Sequence, residues 1–282
     1  YSREISENFQ PSTNFQATCI LLEETEEGIH LIDEGDDVAF DSLKDIRNDL
    51  EQVTLGGMIP GQSLINMSEM MKSSWDLKEK IDKHRKKIPH LYKLSLNIQN
   101  LNELKNKITT QISKHGSILD TTSTSLKNLR SELRIKYENL TEFLSKYQEN
   151  TNNNYFQSSV ISTKNERLVL ELKVENRKNI QGIVHDVSQS GSTLFIEPIE
   201  AVDLCNDWRE TSALISREEE KILKDLSKEI ASNAEEILNT YIAISNIDFI
   251  FARSKLSLKM NGSKITTTNF ESCDSPVSLK NA

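Results

Sequence analysis

Gly182-Ile183-Val184-His185-Asp186-Val187-Ser188-Gln189-Ser190-Gly191-Ser192-Thr193-Leu194-Phe195-Ile196-Glu197-Pro198 is a β-branched, glycine-punctuated island between two long stretches of helical periodicity. Before it, Leu126, Leu129, Leu133, Tyr137, Leu140, Leu144 and Tyr147 recur at spacings of three and four. That keeps one apolar stripe on a helix of about 30 residues, ~45 Å long. After it, Leu204, Trp208, Ile215, Ile222, Leu226, Ile230 and Ile237 give a second stripe of similar length, with Pro198 placed for a first turn. Two matched stripes predict an antiparallel helical hairpin, with the joining segment at its far end.

The joining segment reads as four short strands, Val160–Thr163, Arg167–Lys173, Gly182–Ser188 and Thr193–Glu197. Leu168, Leu170 and Leu172 alternate with Arg167, Val169, Glu171 and Lys173, which fits a sheet with one drier and one wetter face. The simplest topology is a meander. In it the turns at Lys164–Glu166 and Gln189–Ser192 point away from the helices, and the longer Val174–Gln181 connection points back.

The first third of the chain reads as a helical body. Phe15, Cys19 and Leu22 share one helical face, Leu43, Ile46 and Leu50 another, and Leu64, Met67 and Met71 open a helix that runs into Lys83-His84-Arg85-Lys86-Lys87 and stops before Pro89. With 282 residues, 27% charged and only 6% aromatic, the composition suits long, partly solvated helices.

The formal net charge of −9 excludes bulk attraction to nucleic acid, so an anionic partner requires a local basic patch. Charge is uneven: residues 1–70 carry 3 basic and 15 acidic side chains, and residues 71–114 carry 11 basic and 4 acidic. Cys19, Cys205 and Cys273 are too scattered for a disulfide framework or a metal-ligand spacing and point to a reducing compartment. No apolar run approaches 18 residues, which argues against a membrane span. The start at Tyr1 suggests a segment of a longer protein.

The island's Gly182-Ile183-Val184-His185-Asp186, Ser190-Gly191, Thr193, Phe195 and Glu197-Pro198, together with Asn206, resemble the MutS superfamily. The resemblance is to its MutS-two branch, bacterial proteins linked to recombination control and ribosome rescue. Leu21-Leu22-Glu23-Glu24-Thr25, Asp45-Ile46-Arg47, Gly56-Gly57-Met58-Ile59 and Phe249-Ile250-Phe251-Ala252-Arg253 are similar to that branch's core-helix segments, in order. The resemblance covers nearly the whole chain.

It implies a mainly α fold: a helical core over 1–117, an outgoing lever helix over 118–157, a β-rich clamp over 158–198, a returning lever over 199–240, and a return to the core over 241–282. It further implies double-stranded or branched DNA as partner, possible contact with ribosomal RNA, a homodimeric full-length form, and a bacterial cytoplasmic location. An ATP- and Mg-dependent ATPase domain and an endonuclease domain are implied outside this segment. No phosphate loop, Gly-x-x-x-x-Gly-Lys-Ser/Thr, occurs in the chain, so the segment itself is expected to hydrolyse nothing. Two residues depart from the branch's pattern. Glu166 stands at a turn position commonly glycine, placing a negative charge at a DNA-facing turn, and Cys205 precedes Asn206 where paired asparagines are common.

The candidate DNA contacts are Lys164, Arg167, Gln189, Ser190 and Ser192 at the clamp turns, with Arg177 and Lys178 on the inward connection. The competing interpretations are a polar turn kept soluble by its composition, and salt links from Arg177 and Lys178 to acidic lever residues. Lys83, Arg85, Lys86 and Lys87 form the strongest basic cluster, a candidate nucleic-acid patch or a counterweight to the acidic first 70 residues. His185, Asp186 and Glu197 suggest an acid–base or metal site, but strand alternation lets only one of the adjacent pair face Glu197, so structural hydrogen bonding is expected. Trp208 is expected to anchor packing between the levers. The alternative function is a structural module binding protein, either a second copy or a ribosomal partner.

Overall fold

The computed structural model describes residues 2–10, 14–36 and 43–262. Cys273 and the last twenty residues of the expected return to the core lie outside them. The described elements run α1 (Ser2–Glu7), α2 (Phe15–Asp33), α3 (Arg47–Thr54), α4 (Gly61–His84), α5 (Pro89–Ser95), α6 (Asn102–Gln111), α7 (Thr124–Asn150), β1 (Phe156–Lys164), β2 (Arg167–Lys173), β3 (Gly182–Val187), β4 (Thr193–Pro198), α8 (Val202–Ser232) and α9 (Ala234–Lys259). The fold is mainly α with one small antiparallel sheet, as the sequence indicates. Two compact units result: a helical unit of residues 1–117 and 225–282, and a second unit of residues 118–224 that holds the sheet.

In the helical unit, α9 supplies Ala243, Ile244, Ile247, Ile250 and Phe251 to a core shared with Leu31 of α2, Leu77 and Ile81 of α4, Ile88, and Leu91 of α5. Thr240, Ser245 and Ser254 of α9 are buried as well, so small polar residues fill the positions between its apolar ones, as a helix surrounded by neighbours needs. The start of α5 has a local cause. Pro89 fixes its first turn, and the buried Glu27 carboxylate of α2 accepts from the backbone N–H groups of His90 (3.1 Å) and Leu91 (2.8 Å). A carboxylate at a helix N-terminus satisfies donors that the helix leaves open and meets a favourable dipole.

At the other end of the unit, the buried backbone N–H of Ile59 donates to Ser227 Oγ at 3.1 Å. Ser227→Ala leaves that donor without a partner, and a fall of about 1–2 kcal/mol in unfolding free energy is expected by urea titration. The helical periodicity expected to continue to residue 240 breaks at Asn233, whose Nδ2 donates to the Glu229 carbonyl at 2.8 Å. Ile237 therefore belongs to α9.

In the sheet unit, α7 and the first part of α8 run antiparallel. Ser123 Oγ donates to Glu218 at 2.8 Å, Arg130 pairs with Glu219 at 2.6 Å, Lys136 donates to Thr211 at 2.8 Å, and the Tyr137 and Trp208 rings lie 6.1 Å apart. At 27 residues α7 is about 40 Å long. One face of the sheet packs on these helices: Leu140 and Leu144 of α7, and Cys205 of α8, are buried among Phe156, Leu168, Leu170, Leu172, Ile180 and Ile196.

The strand order is β1-β2-β4-β3, not the expected meander. Burial explains it. Pro198, Glu197 and Ile196 of β4 are all buried, as an interior strand requires, whereas Asp186 and Val187 of β3 are exposed and belong on an edge. The 3-10 turn Val174–Asn179 is long enough to carry the chain past one strand position, so β4 can return between β2 and β3. Val169 is also fully buried, so the wetter face of β2 is itself partly covered.

Candidate functional site

Glu197 is the node of a polar cluster where the sheet meets the start of α8. Its carboxylate is 0% exposed, and it binds Arg167 Nη1 of β2 at 2.9 Å through one oxygen and His185 Nε2 of β3 at 2.6 Å through the other. Arg167 continues to Asn206 Oδ1 of α8 at 2.7 Å. A buried carboxylate survives only with this degree of pairing. The result ties three strands to the first turns of α8, which is the structural role expected for His185 and Glu197.

Of the adjacent pair, His185 meets Glu197 and Asp186 pairs instead with Lys164, in keeping with the expectation that only one of them faces Glu197. The β3–β4 register shifts between Val184 and Asp186, and a bulge of this kind releases neighbouring side chains from strict alternation. Asp186 then pairs with Lys164 Nζ at 3.0 Å, and Lys164 lies 4.4 Å from the centroid of the Phe195 ring. Lys164 holds the Asp186 carboxyl below the usual carboxylate range. Cys205, buried beside Glu197, has its thiol pushed up to about 11, chiefly by burial, so it is a neutral packing group at physiological pH. Among the described residues no group of three or more His, Cys, Asp or Glu side chains is arranged to hold a metal ion.

The turn candidates do not form one surface. The Lys164–Arg167 turn closes β1 against β2, while Ser188–Ser192 joins β3 to β4 beside Lys173, at the opposite end of β2. Nor does the first turn point away from the helices: Glu166 pairs with Arg209 of α8 at 2.9 Å. That corrects the expected meander geometry, and Arg167 is held inward by Glu197.

At the other end, Gln189, Ser190 and Ser192 surround a left-handed Gly191 (φ +72°), with Ser190 Oγ 2.7 Å from Ser192 Oγ and 3.3 Å from Ser188 Oγ. On the crossover, Arg177 donates to the carbonyls of Ile180 (3.1 Å) and Gly182 (3.2 Å), the latter at the end of β3 remote from that turn, and Lys178 beside it is exposed. In the helical unit, Lys83, Arg85 and Lys86 are exposed, whereas Lys87 pairs with Glu34, and Lys80 and His84 with Asp36. The end of α4 thus partly neutralises the acidic end of α2.

No family model matches the chain. Curated relatives do. The chain is 32% identical over 259 residues to endonuclease MutS2 of Symbiobacterium thermophilum, covering 92% of this chain and 32% of that protein. It is 31% identical over 271 residues to endonuclease MutS2 of Bacillus mycoides, with 95% and 34% covered, and 31% identical over 263 residues to that of Geobacillus thermodenitrificans, with 92% and 34% covered. Over this span the chain belongs to the MutS2 family. It extends over about a third of the length of the MutS2 relatives it matches.

Within this MutS2 stretch no sequence motif marks Arg209 or the groove beside it. The available signal was the two-residue loop Asn165-Glu166 between apolar runs, which demands left-handed backbone at both positions. Trp208, expected to pack between the levers, is half-buried, with its ring 6.1 Å from Tyr137 of α7 and also against the sheet core.

Proposed function

We propose that this stretch is the lever-and-clamp region of a MutS2-type protein, and that it holds double-stranded or branched DNA by its backbone without reading sequence. The observation that carries the reading is the exposed end of the sheet formed by Gln189, Ser190 and Ser192, a turn of hydroxyl and amide donors with no carboxylate in it. Lys178 and Arg177 on the crossover add positive charge. Residues 156–198 contain five basic and five acidic side chains, so attraction from this unit is weak. That suits a contact that follows a duplex rather than one that seizes it. ATP and Mg binding, endonuclease cleavage, a homodimeric assembly, and roles in recombination suppression and rescue of stalled ribosomes are proposed for the longer protein, with cleavage outside this stretch. The proposed location is the bacterial cytoplasm; among the described residues no helix is long and apolar enough to cross a membrane.

A salt titration of duplex binding tests this. One or two phosphate contacts give a slope of log K against log salt of about −1 to −2, and Lys178→Ala makes it shallower by about 1. Binding that ignores salt would reject the reading. A protein-binding module is the second reading, favoured by the exposed Val160 on edge strand β1 and Ile183 and Val187 on edge strand β3. Its contacts persist at high salt.

A further inference from the structure

We propose that Arg209 is a second phosphate-binding position, and that Glu166 occupies it as an internal counter-anion. The proposal rests on the nucleic-acid reading above and deepens it. Three observations combine. Arg209, Ser212 and Ser216 lie on one face of α8 at helical spacing and line a groove of about 670 Å³ that also takes in Trp208, Thr163 and Ala213. A guanidinium followed one turn on by the Ser212 hydroxyl, on a face kept open by small residues, offers a fork of donors and then a further donor to an extended sugar-phosphate strand, while the Ser216 hydroxyl donates to the Ser212 carbonyl at 3.2 Å.

The second observation is the present occupant of Arg209. Glu166 reaches across the mouth of the groove, and its carboxylate stands 2.9 Å from Nη2, although its own side chain is 79% exposed. An ion pair this open to water is weak and gives way to a competing anion. The third is the backbone beneath it. Asn165 and Glu166 have φ of +48° and +60°. Asparagine tolerates that region; glutamate is disfavoured there, because its Cβ crowds the following carbonyl. The turn therefore holds a charged residue at a strained position, and the pair with Arg209 is the contact that residue gains. Displacement of Glu166 by phosphate exchanges one anion for another on the same guanidinium, and among the described residues Arg209 has no other ion-pair or hydrogen-bond partner to break. Glu210, also on the groove, opposes an anion there by like-charge repulsion, so the affinity expected of the site is modest.

The test compares the parent protein with Glu166→Gln, Glu166→Gly, Arg209→Ala and the double variant Glu166→Gln/Arg209→Ala. Inorganic tripolyphosphate and a short DNA duplex at low salt are the probes, and Trp208 fluorescence and duplex affinity the readouts. Glu166→Gln is expected to tighten tripolyphosphate binding about fivefold, the size of one exposed charge interaction. Glu166→Gly should do at least as well and raise thermal stability, by relieving the turn. Arg209→Ala should abolish the gain in the double variant. Equal tripolyphosphate affinity in the parent and Glu166→Gln, or a gain that survives Arg209→Ala, overturns the proposal. Loss of salt-dependent duplex binding with an intact tripolyphosphate response would instead reject the DNA reading and leave Arg209 as an anion site.

Discussion

Glu197→Ala is expected to lower the stability of the sheet unit by about 3–5 kcal/mol. The carboxylate it removes is wholly buried, and the groups left behind, Arg167 and His185, have side chains only 16% and 17% exposed. They then lie in a poorly hydrated setting with one partner fewer, and among the described residues Arg167 keeps only Asn206. Most of the cost is this uncompensated burial rather than the worth of the pair itself. Glu197→Gln should lose less, since an amide oxygen still accepts from Arg167. In a double-mutant cycle, Arg167→Ala/Glu197→Ala should cost less than the sum of the single changes. Hydrogen exchange should show the loss in residues 156–206. Protection there that matches the parent would mean the network is ornamental.

Gly61→Ala is expected to destabilise the helical unit by about 2–3 kcal/mol. A Cβ at Gly61 would stand 2.1 Å from the carbonyl oxygen of Gly116, and the same approach puts a Cβ at Gly116 2.7 Å from the Gln62 backbone nitrogen. Both obstacles are main chain, so no rotamer change relieves them; the turn at Ser113–Ser117 must move away from the start of α4. Alanine's better helix propensity is worth up to ~1 kcal/mol and does not offset the overlap. A thermal melt is the check. For a unit of this size each kcal/mol shifts the midpoint by about 2–4 °C, so a midpoint within a degree of the parent contradicts the packing described.

The helices and strands were legible because each is long relative to its period. The stripe from Leu126 to Tyr147 became α7, and the apolar run of β2 became the buried middle of the sheet. Strand order was not legible. It depends on which strand tolerates an edge, and that follows from Ile196-Glu197-Pro198 being buried together, a fact no alternation pattern carries because Glu197 reads as a polar residue. The same residue hid the fate of Arg167, which looks like a surface cation until a buried partner is found for it. The boundary at Asn233 escaped because Ile230 and Ile237 keep step across it, and periodicity is blind to a one-residue break. The separation of the two turns followed from the strand order, so the error there propagated into the grouping of Lys164 and Arg167 with Gln189, Ser190 and Ser192.

The placement of β4 between β2 and β3 gives the sheet unit a mechanical polarity. Tension arriving through α8 loads Pro198 and the strand before it, which is gripped by a ladder on each side. Tension arriving through α7 loads Phe156, at the start of an outer strand with a single ladder already interrupted between Phe156 and Ile161. The first handle moves the sheet as a body, and the second tends to peel it, so a displacement delivered by α8 reaches the sheet with less slack than the same displacement delivered by α7.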